Sequence, residues 1–459
     1  MEQFRQRKRS VVSASENGRM VLWQIKKVLH CHFPDFQNRL SSLSDPRKGG
    51  QYGIAELVTS AVVLFLLKCD SRNDFNQKTS DELFRRNYWQ MFRLRVPHMD
   101  AVNDLFEKMK SEELESLRCR LIGVLIEKRA LHGLRFFEPY FHVAVDGTGV
   151  YNWGDSPPED IVPHALKREY DSGKVNYSTQ VLEAALICRN GASVPLMSEW
   201  IANDASGRHK QDCEQNAFKR LSVRLKKYFP RLNICILADG LYSNASMMDL
   251  CKRYGWKFVT VFKDGNLPSV WEEVDSLLSL KAGDGMERIL GEPNRWISRK
   301  YRWINDIEYQ KRKICWIECV QESTRRDSGE KRSVRFVFLT NLDANRDNIV
   351  DIVMSGRARW RIEDHFNAQK NRGGALRHKF NRKCFLAIKN WHGARQLAAM
   401  IIQLVEHTRE IMQARKENAK LTLKELWKNL NAFLSMCSAD EDMAEFERWS
   451  AERRQVRLE

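Results

Sequence analysis

The spacing of apolar residues changes along the chain, and each spacing predicts a different kind of structure. From about residue 20 to residue 134, apolar positions recur at intervals of three and four, as in Leu57, Val58, Ala61, Val62 and Phe65. This period is typical of amphipathic helices. The longest apolar stretch covers only eleven residues, 57–67. A membrane-spanning helix needs about 20, so the pattern predicts a buried helix and no membrane association.

A second pattern begins near residue 141, where short apolar runs alternate with helical segments. Asn190-Gly191 separates two of these runs and is a typical hairpin turn. The predicted order is β-β-β-α-β-α-β, which is the element order of an RNase H-like domain. The strands are expected at 141–151, 181–188, 194–200, 233–238 and 257–262, and the helices at 211–229 and 243–254.

A third pattern follows residue 263, where polar and apolar residues alternate and glycines interrupt the runs. Strands are expected at 295–304, 313–322 and 333–341, before helices resume at about residue 348 and again at 384–413. Together the patterns predict an α/β protein whose RNase H-like catalytic core is interrupted by a β-rich insertion. Its expected parts are a disordered basic tail (1–15), a helical N-terminal domain (16–135), the first part of the core (136–263), the insertion (264–345), the final core helices (346–415) and a helical, charged C-terminal tail (416–459).

The amino-acid composition indicates which class of molecule the protein binds. The 459 residues include 76 Lys and Arg against 59 Asp and Glu, for a formal net charge of +17. Such an excess favours a polyanionic partner, with nucleic acid ahead of a membrane surface. The 11 cysteines are scattered without the spacing of a zinc site or a disulfide framework. With no signal peptide evident, a reducing, cytoplasmic location is expected.

Two aspartates are the first candidates for chemistry. Asp146 and Asp239 each follow an apolar run and are each followed by glycine, so we expect both at strand ends with room for a ligand. An isolated Asp-Gly pair is more often a turn, but here both lie on the strands that the element order requires. Clustered carboxylates repel one another, and two Mg²⁺ ions about 3.5–4 Å apart would remove that repulsion. Mn²⁺ could substitute for Mg²⁺.

A third carboxylate, Glu363, lies in a strongly basic predicted helix. Arg359, Glu363 and Lys370 fall within about 40° of one helical face. The alternative is an exposed Arg–Glu pair of the i, i+4 type, worth about 0.3–0.5 kcal/mol. Residues 356–395 contain 11 Lys and Arg against two acids. Arg372 begins a basic Gly-Gly turn in this region, and such groups suit phosphate contacts.

The Arg-x₃-Glu-x₆-Lys spacing resembles that of bacterial insertion-sequence transposases of the DDE superfamily. The similarity is strongest to the branch built around insertion sequence four, whose signature is Tyr-x₂-Arg-x₃-Glu-x₆-Lys. In this chain the tyrosine position is Gly356. The resemblance implies that Asp146, Asp239 and Glu363 bind two metal ions, and that Arg359 and Lys370 contact DNA. It also implies a homodimer acting on the terminal inverted repeats of its own element and on target DNA in the bacterial cytoplasm.

The same resemblance implies an aromatic residue that handles a flipped base at the transposon end. Trp296, Trp303 and Trp316, all in the predicted insertion, are the candidates. For each of them, packing within a strand is the more common role, and the sequence does not choose among them.

Two other functions are compatible with the sequence. One is a non-catalytic DNA-binding relic or repressor of transposition, and the other is an RNase H-like nuclease that cuts DNA without joining it. Inverted repeats and short target duplications beside the gene would favour a mobile element over a relic. A nuclease would yield no products joined to target DNA.

Overall fold

The protein combines one body of helices with one large sheet, and is a mixed α/β structure as predicted. The computed structural model describes the backbone of residues 2–201, 213–280, 283–292, 294–452 and 456–459, with side chains from residue 14 onward. No helix in these ranges has the length and apolar character needed to cross a membrane.

The N-terminal part of the chain is helical, as predicted. It contains α1 (Glu2–His32), α2 (Phe36–Ser41), α3 (Ile54–Leu66), α4 (Arg72–Ser80), α5 (Glu82–Phe92), α6 (Met99–Phe106) and α7 (Glu112–Glu127). The prediction of a disordered tail at 1–15 is wrong for residues 2–15, because α1 covers them. These residues include no Gly or Pro and are rich in Gln, Arg and Lys, which favour a helix.

The C-terminal helices pack against the N-terminal ones. They are α11 (Ile349–Ala358), α12 (Arg361–Asn371), α13 (Phe385–Glu406), α14 (Arg409–Glu417), α15 (Leu423–Met436) and α16 (Asp440–Ser450). Helix α13 is buried on nearly every side and contacts α3, α6 and α7. The segment 416–459 is helical as predicted but is not a tail: α15 packs on α1 and α5 and buries Trp427 and Phe433.

Between these helices the chain forms the sheet that carries the candidate site. Its first strands are β1 (Phe141–Gly154), β2 (Leu166–Glu169), β3 (Val175–Ile187), β4 (Ser193–Ile201), β5 (Ile234–Ala238) and β6 (Lys257–Val261), with α8 (Glu214–Tyr228) before β5 and α9 (Ala245–Tyr254) before β6. The predicted hairpin is confirmed between β3 and β4, where the Cys188 amide donates to the Ala192 carbonyl at 2.9 Å. The short strand β2 was not predicted.

Strand directions divide the sheet into two parts. β1, β5 and β6 are parallel neighbours, whereas β3 runs antiparallel to β1 and β4 antiparallel to β3. The full order is β2-β3-β1-β5-β6-β10-β9-β8-β7, and β4 pairs with β3. Parallel neighbours require crossover connections; the chain passes through α8 between β4 and β5, and through α9 between β5 and β6.

The predicted β-rich segment extends this same sheet. It contains α10 (Pro268–Ser279), β7 (Asp284–Glu292), β8 (Arg295–Tyr309), β9 (Arg312–Arg325) and β10 (Lys331–Thr340). β10 pairs antiparallel with β6, so the added strands continue the sheet instead of forming a separate one. Helix α10 was not predicted, although Pro268 in its first turn and Val270 and Val274 on its buried face are helix signals.

Helix α11 lies so close to the sheet that one of its positions has no room for a side chain. A Cβ atom built on Gly356 would be 2.7 Å from Phe338 Cε1 in β10 and 2.9 Å from Val259 Cγ1 in β6. The residue at the tyrosine position of the transposase signature therefore faces the sheet, and the helix packs here because glycine is present.

We expect Gly356→Ala to lower the free energy of unfolding by about 1–3 kcal/mol, because overpacking displaces the helix or the rings beneath it. Gly123→Ala is the matched control: Gly123 is also within a helix but has nothing within 4 Å of a built Cβ. That control should gain up to about 1 kcal/mol from helix propensity. Urea unfolding of both variants measures the difference, and an unchanged Gly356→Ala protein would contradict the close approach.

Candidate active site

The two candidate aspartates lie on adjacent parallel strands. The register pairs Ala144 of β1 with Leu237 of β5, so Asp146 and Asp239, each two residues farther along, reach the same level of the sheet. Asp239 follows the last residue of β5, as predicted, and its Oδ1 accepts the Leu241 amide at 2.9 Å. Asp146 is not at a strand end: β1 continues to Gly154, with Asp146 opposite Glu183 of β3.

The glycines that follow the aspartates lie directly beneath neighbouring side chains. Neither Gly147 nor Gly240 has a positive φ angle. A Cβ on Gly147 would be 2.3 Å from Glu214 Oε1, and one on Gly240 would be 2.7 Å from Asn266 Nδ2. A side chain at either position would therefore displace the end of the neighbouring Glu214 or Asn266 side chain.

The third predicted carboxylate is connected to the first through an arginine. Arg359 lies at the junction of α11 and α12, where its Nη2 contacts Glu363 Oε1 and its Nη1 lies 3.8 Å from Asp146 Oδ2. Its side chain is 14% exposed, whereas that of Glu363 is 52% exposed. The pair is therefore more than an exposed helical ion pair, because the guanidinium joins α12 to β1.

Lys370, the last residue of the signature, also reaches β1. Its ammonium donates a hydrogen bond of 2.6 Å to Thr148 Oγ1, two residues beyond Asp146. Burial lowers the pKa of Lys370, and nearby Arg377 lowers it further, while Asp146 opposes both. Arg359 and Lys370 thus contact one short segment of β1, and Glu363 is linked to it through Arg359. The single helix predicted to carry all three is interrupted, because Arg359 lies in the turn between α11 and α12.

A fourth carboxylate, Glu214, was not found from the sequence. It is the first residue of α8, and Tyr242 Oη donates to its Oε2 at 3.4 Å. Burial raises the pKa of Glu214, and the negative charge of Asp239 raises it further. In the sequence it looks like any acidic residue in the first turn of a helix, and only the packing of α8 brings it to Gly147.

The carboxylates influence one another strongly. Burial raises the pKa of Asp146 to about 6, Arg359 opposes this, and Glu363, Glu214 and Asp239 add to it. The same negative charges act on the buried Tyr242, whose pKa is raised by burial and then by Glu214 and Asp239. We call Asp146, Glu214, Asp239 and Glu363 the carboxylate cluster.

Carboxylate oxygens are the ligands that Mg²⁺ prefers, so the chemistry of the cluster fits the predicted ions. Burial, and after it the negative charge of neighbouring acids, raises the pKa values of Asp146 and Glu214. In this structure Arg359 is the cation between Asp146 and Glu363. Within the described ranges no three His, Cys, Asp or Glu side chains are arranged closely enough to hold a metal ion.

The remaining predicted residues lie elsewhere. Arg372 lines a groove beside α12 and makes no contact with the carboxylate cluster in the part of the chain that the structure describes. Trp303 and Trp316 are buried in the sheet, at 2% and 0% exposure, whereas Trp296 is 53% exposed. The guanidinium of Arg326 lies 4.4 Å from the Trp296 ring centroid. Of the three tryptophans, Trp296 alone has an accessible ring.

Comparisons with known proteins do not assign the chain to a family. The sequence matches no family model, and no curated protein is similar to it at a significant level.

Replacing Asp146 by asparagine should stabilise the protein at neutral pH. With its carboxyl pKa raised to about 6 from 3.8, the folded state holds the Asp146 proton more tightly than the unfolded chain does. Wild-type stability therefore falls as the pH rises from about 4 to about 6. Asp146→Asn avoids this loss, so it should be about 1–2 kcal/mol more stable at pH 7.5, allowing for partial solvent screening.

This gain should shrink as the pH is lowered toward 4. Urea unfolding in EDTA across the pH range is the measurement, with exposed Asp171→Asn as the matched substitution. A gain that is the same at all pH values would contradict the raised carboxyl pKa.

Proposed function

We propose that this protein is a DDE transposase of the insertion-sequence-four type, which cleaves DNA at the ends of its own element and joins those ends to target DNA. One observation carries the proposal. Arg359 and Lys370, which have the signature spacing with Glu363, reach the segment of β1 that begins at Asp146, and Glu363 is linked to that segment through Arg359. Asp239 lies at the same level on the neighbouring parallel strand.

The topology supports an RNase H-like core. Strands β4, β3, β1, β5 and β6 are adjacent in that order, with β1, β5 and β6 parallel and the helices α8 and α9 preceding β5 and β6. This matches the β-β-β-α-β-α-β order on which the prediction rested. The strands β7–β10 between β6 and α11 are the proposed insertion.

Asp146, Asp239 and Glu363 would hold the two divalent ions, and the carboxylates would have to move closer together than they lie in this structure. Glu214, whose charge acts on Asp146, would be a further oxygen ligand in that arrangement. When bound, Mg²⁺ or Mn²⁺ would activate the attacking water or 3′-hydroxyl and stabilise the leaving oxygen. Arg359 holds Asp146 and Glu363 together across the gap between β1 and α12. Metal binding would require this guanidinium to release at least one carboxylate, and it could then contact a DNA phosphate.

The positive charge of the chain supports a DNA substrate. The net charge of +17 is concentrated partly in residues 356–395, which include α12 and the start of α13. Lys370 is fixed by Thr148 beside the carboxylate cluster, where its ammonium can face a phosphate near the scissile bond. We propose double-stranded DNA with terminal inverted repeats as the substrate, a homodimer as the synaptic form, and action at the bacterial nucleoid in the cytoplasm.

Glu363→Gln should reduce Mg²⁺-dependent cleavage of DNA carrying the native ends by more than about 100-fold. Binding of the same DNA, measured by anisotropy in EDTA, should stay within about twofold, because one exposed carboxylate repels phosphate only weakly. The matched control is Glu445→Gln, an exposed glutamate on α16, which should leave cleavage unchanged.

Three outcomes separate the candidate functions. Cleavage and joining that both depend on Glu363 support the transposase. Cleavage without joined products identifies a nuclease, and binding without cleavage in wild type identifies a non-catalytic relic or repressor. Full cleavage by Glu363→Gln would overturn the assignment of the site.

Trp296→Ala should weaken the handling of an unstacked base at the transposon end, since base stacking on an aromatic ring is worth about 1–3 kcal/mol. End DNA carrying 2-aminopurine should show a smaller fluorescence increase on binding this variant. Trp89→Ala is the matched control, because Trp89 is 47% exposed and also has an arginine, Arg93, 4.4 Å from its ring centroid. Equal signals from the two variants would remove Trp296 from this role.

A further inference from the structure

A deep groove lies along the side of α12, apart from the carboxylate cluster. It has a volume of about 800 Å³ and is enclosed by α12, α13, α15 and the end of α3. We call it the α12 groove. Ligand-binding pockets are typically about 300–1,000 Å³, so the α12 groove has room for a nucleotide. The walls include the apolar side chains of Phe65, Leu67, Ile402 and Leu423.

Positive charge dominates the groove. Lys68, Arg372, Lys424 and Lys428 line it, and within the described ranges no side chain forms a hydrogen bond or ion pair with any of the four. Its acids are Asp70, Asp364 and Glu406, and the last accepts a hydrogen bond of 2.8 Å from Trp427 Nε1. Burial lowers the pKa of the lining His365 to about 4, so that histidine adds no charge at neutral pH. Burial also lowers the pKa of Lys68, and the charge of Glu406 opposes this. The exposed Arg372, Lys424 and Lys428 supply the positive charge that favours an anionic ligand.

One of these cations is held in an unusual backbone conformation. Lys68 directly follows the cap of α3 with a φ of 56°, a left-handed conformation that glycine or asparagine adopts more readily. Its ammonium lies 5.2 Å from the Trp427 ring centroid, inside the groove. The stem of Lys68 also lies against Gly373, where an added Cβ would be 2.7 Å from Lys68 Cβ.

The α12 groove also contains an exposed aromatic ring. Trp360 directly precedes α12 as its N-cap residue, lines the groove and is 52% exposed. Indole faces stack on nucleobases with little dependence on base identity. The α12 groove thus combines a stacking surface with unpaired cations, which are the two groups that a nucleoside phosphate requires.

We propose that the α12 groove binds a nucleoside phosphate, with the base on Trp360 and the phosphate between Lys68 and Arg372. The ligand could be a free nucleotide or a nucleotide within single-stranded DNA, because both present the same chemistry. This site is separate from the carboxylate cluster and does not depend on the proposed transposase activity.

The test is binding in EDTA of two probes, a fluorescein-labelled oligo-dT and a fluorescent deoxyadenosine monophosphate. Lys68→Asn removes the charge but keeps a residue that tolerates the left-handed conformation. Arg129→Asn is the matched control: Arg129 is exposed, has a φ of 57° and directly follows the cap of α7. Both variants lose one positive charge, so a general electrostatic effect would appear equally in both.

We expect Lys68→Asn to weaken binding by about tenfold and to lower the salt dependence of oligo-dT binding by about 0.7 log units per log unit of salt. Arg129→Asn should stay within about twofold of wild type. If Lys68→Asn binds both probes more weakly than wild type, the site accepts free nucleotides. If it binds only oligo-dT more weakly, the site is specific for a DNA strand. Trp360→Ala should weaken the same probes and provides a second test if Lys68→Asn folds poorly.

Equal affinity of Lys68→Asn, Trp360→Ala and wild type for both probes would overturn the proposal. This result is distinguishable from failure of the transposase proposal, because no divalent metal or cleavage is involved.

Discussion

The parallel pairing of β1 with β5 is the constraint on which the candidate site depends. It sets Asp146 and Asp239 at one level of the sheet although 92 residues separate them in the chain. Parallel neighbours require a crossover connection, and the crossover here contains α8, whose first residue is Glu214. One pairing therefore positions three of the four carboxylates, and α12 adds the fourth.

The four carboxylates of the cluster place negative charge in one region, and nearby positive side chains neutralise only part of it. Arg359 joins Asp146 and Glu363, yet burial and mutual repulsion still raise the pKa of Asp146 to about 6. Buried carboxylates of this kind are destabilising unless paired. A cluster of carboxylates that destabilises the fold unless a cation neutralises it is typical of a ligand-binding site. This unneutralised charge is the physical basis of the proposed activity.

Much of the architecture could be predicted because it depends on local patterns. The β-β-β-α-β-α-β order, the Asn190-Gly191 hairpin and the common orientation of Arg359, Glu363 and Lys370 follow from periods of two and 3.6 residues. The helices at residues 2–15 and at α10 were missed although their own residues favour a helix. The error at Asp146 occurred where a contact distant in sequence decides the outcome. Asp146 was expected at a strand end because the chain shows where the apolar run stops, whereas the strand continues through pairing with β3.

The sequence by itself determined the helical and extended segments, the basic character and the spacing of the signature residues, since these depend on neighbours along the chain. The tertiary structure alone decided that Glu214 joins the carboxylate cluster, that Trp296 is accessible whereas Trp303 and Trp316 are buried, and that Lys68 enters the α12 groove. It also explained Gly356, which contacts Phe338 and Val259. These properties depend on contacts between helices and strands that are far apart in sequence. The local spacing of apolar residues does not predict such contacts.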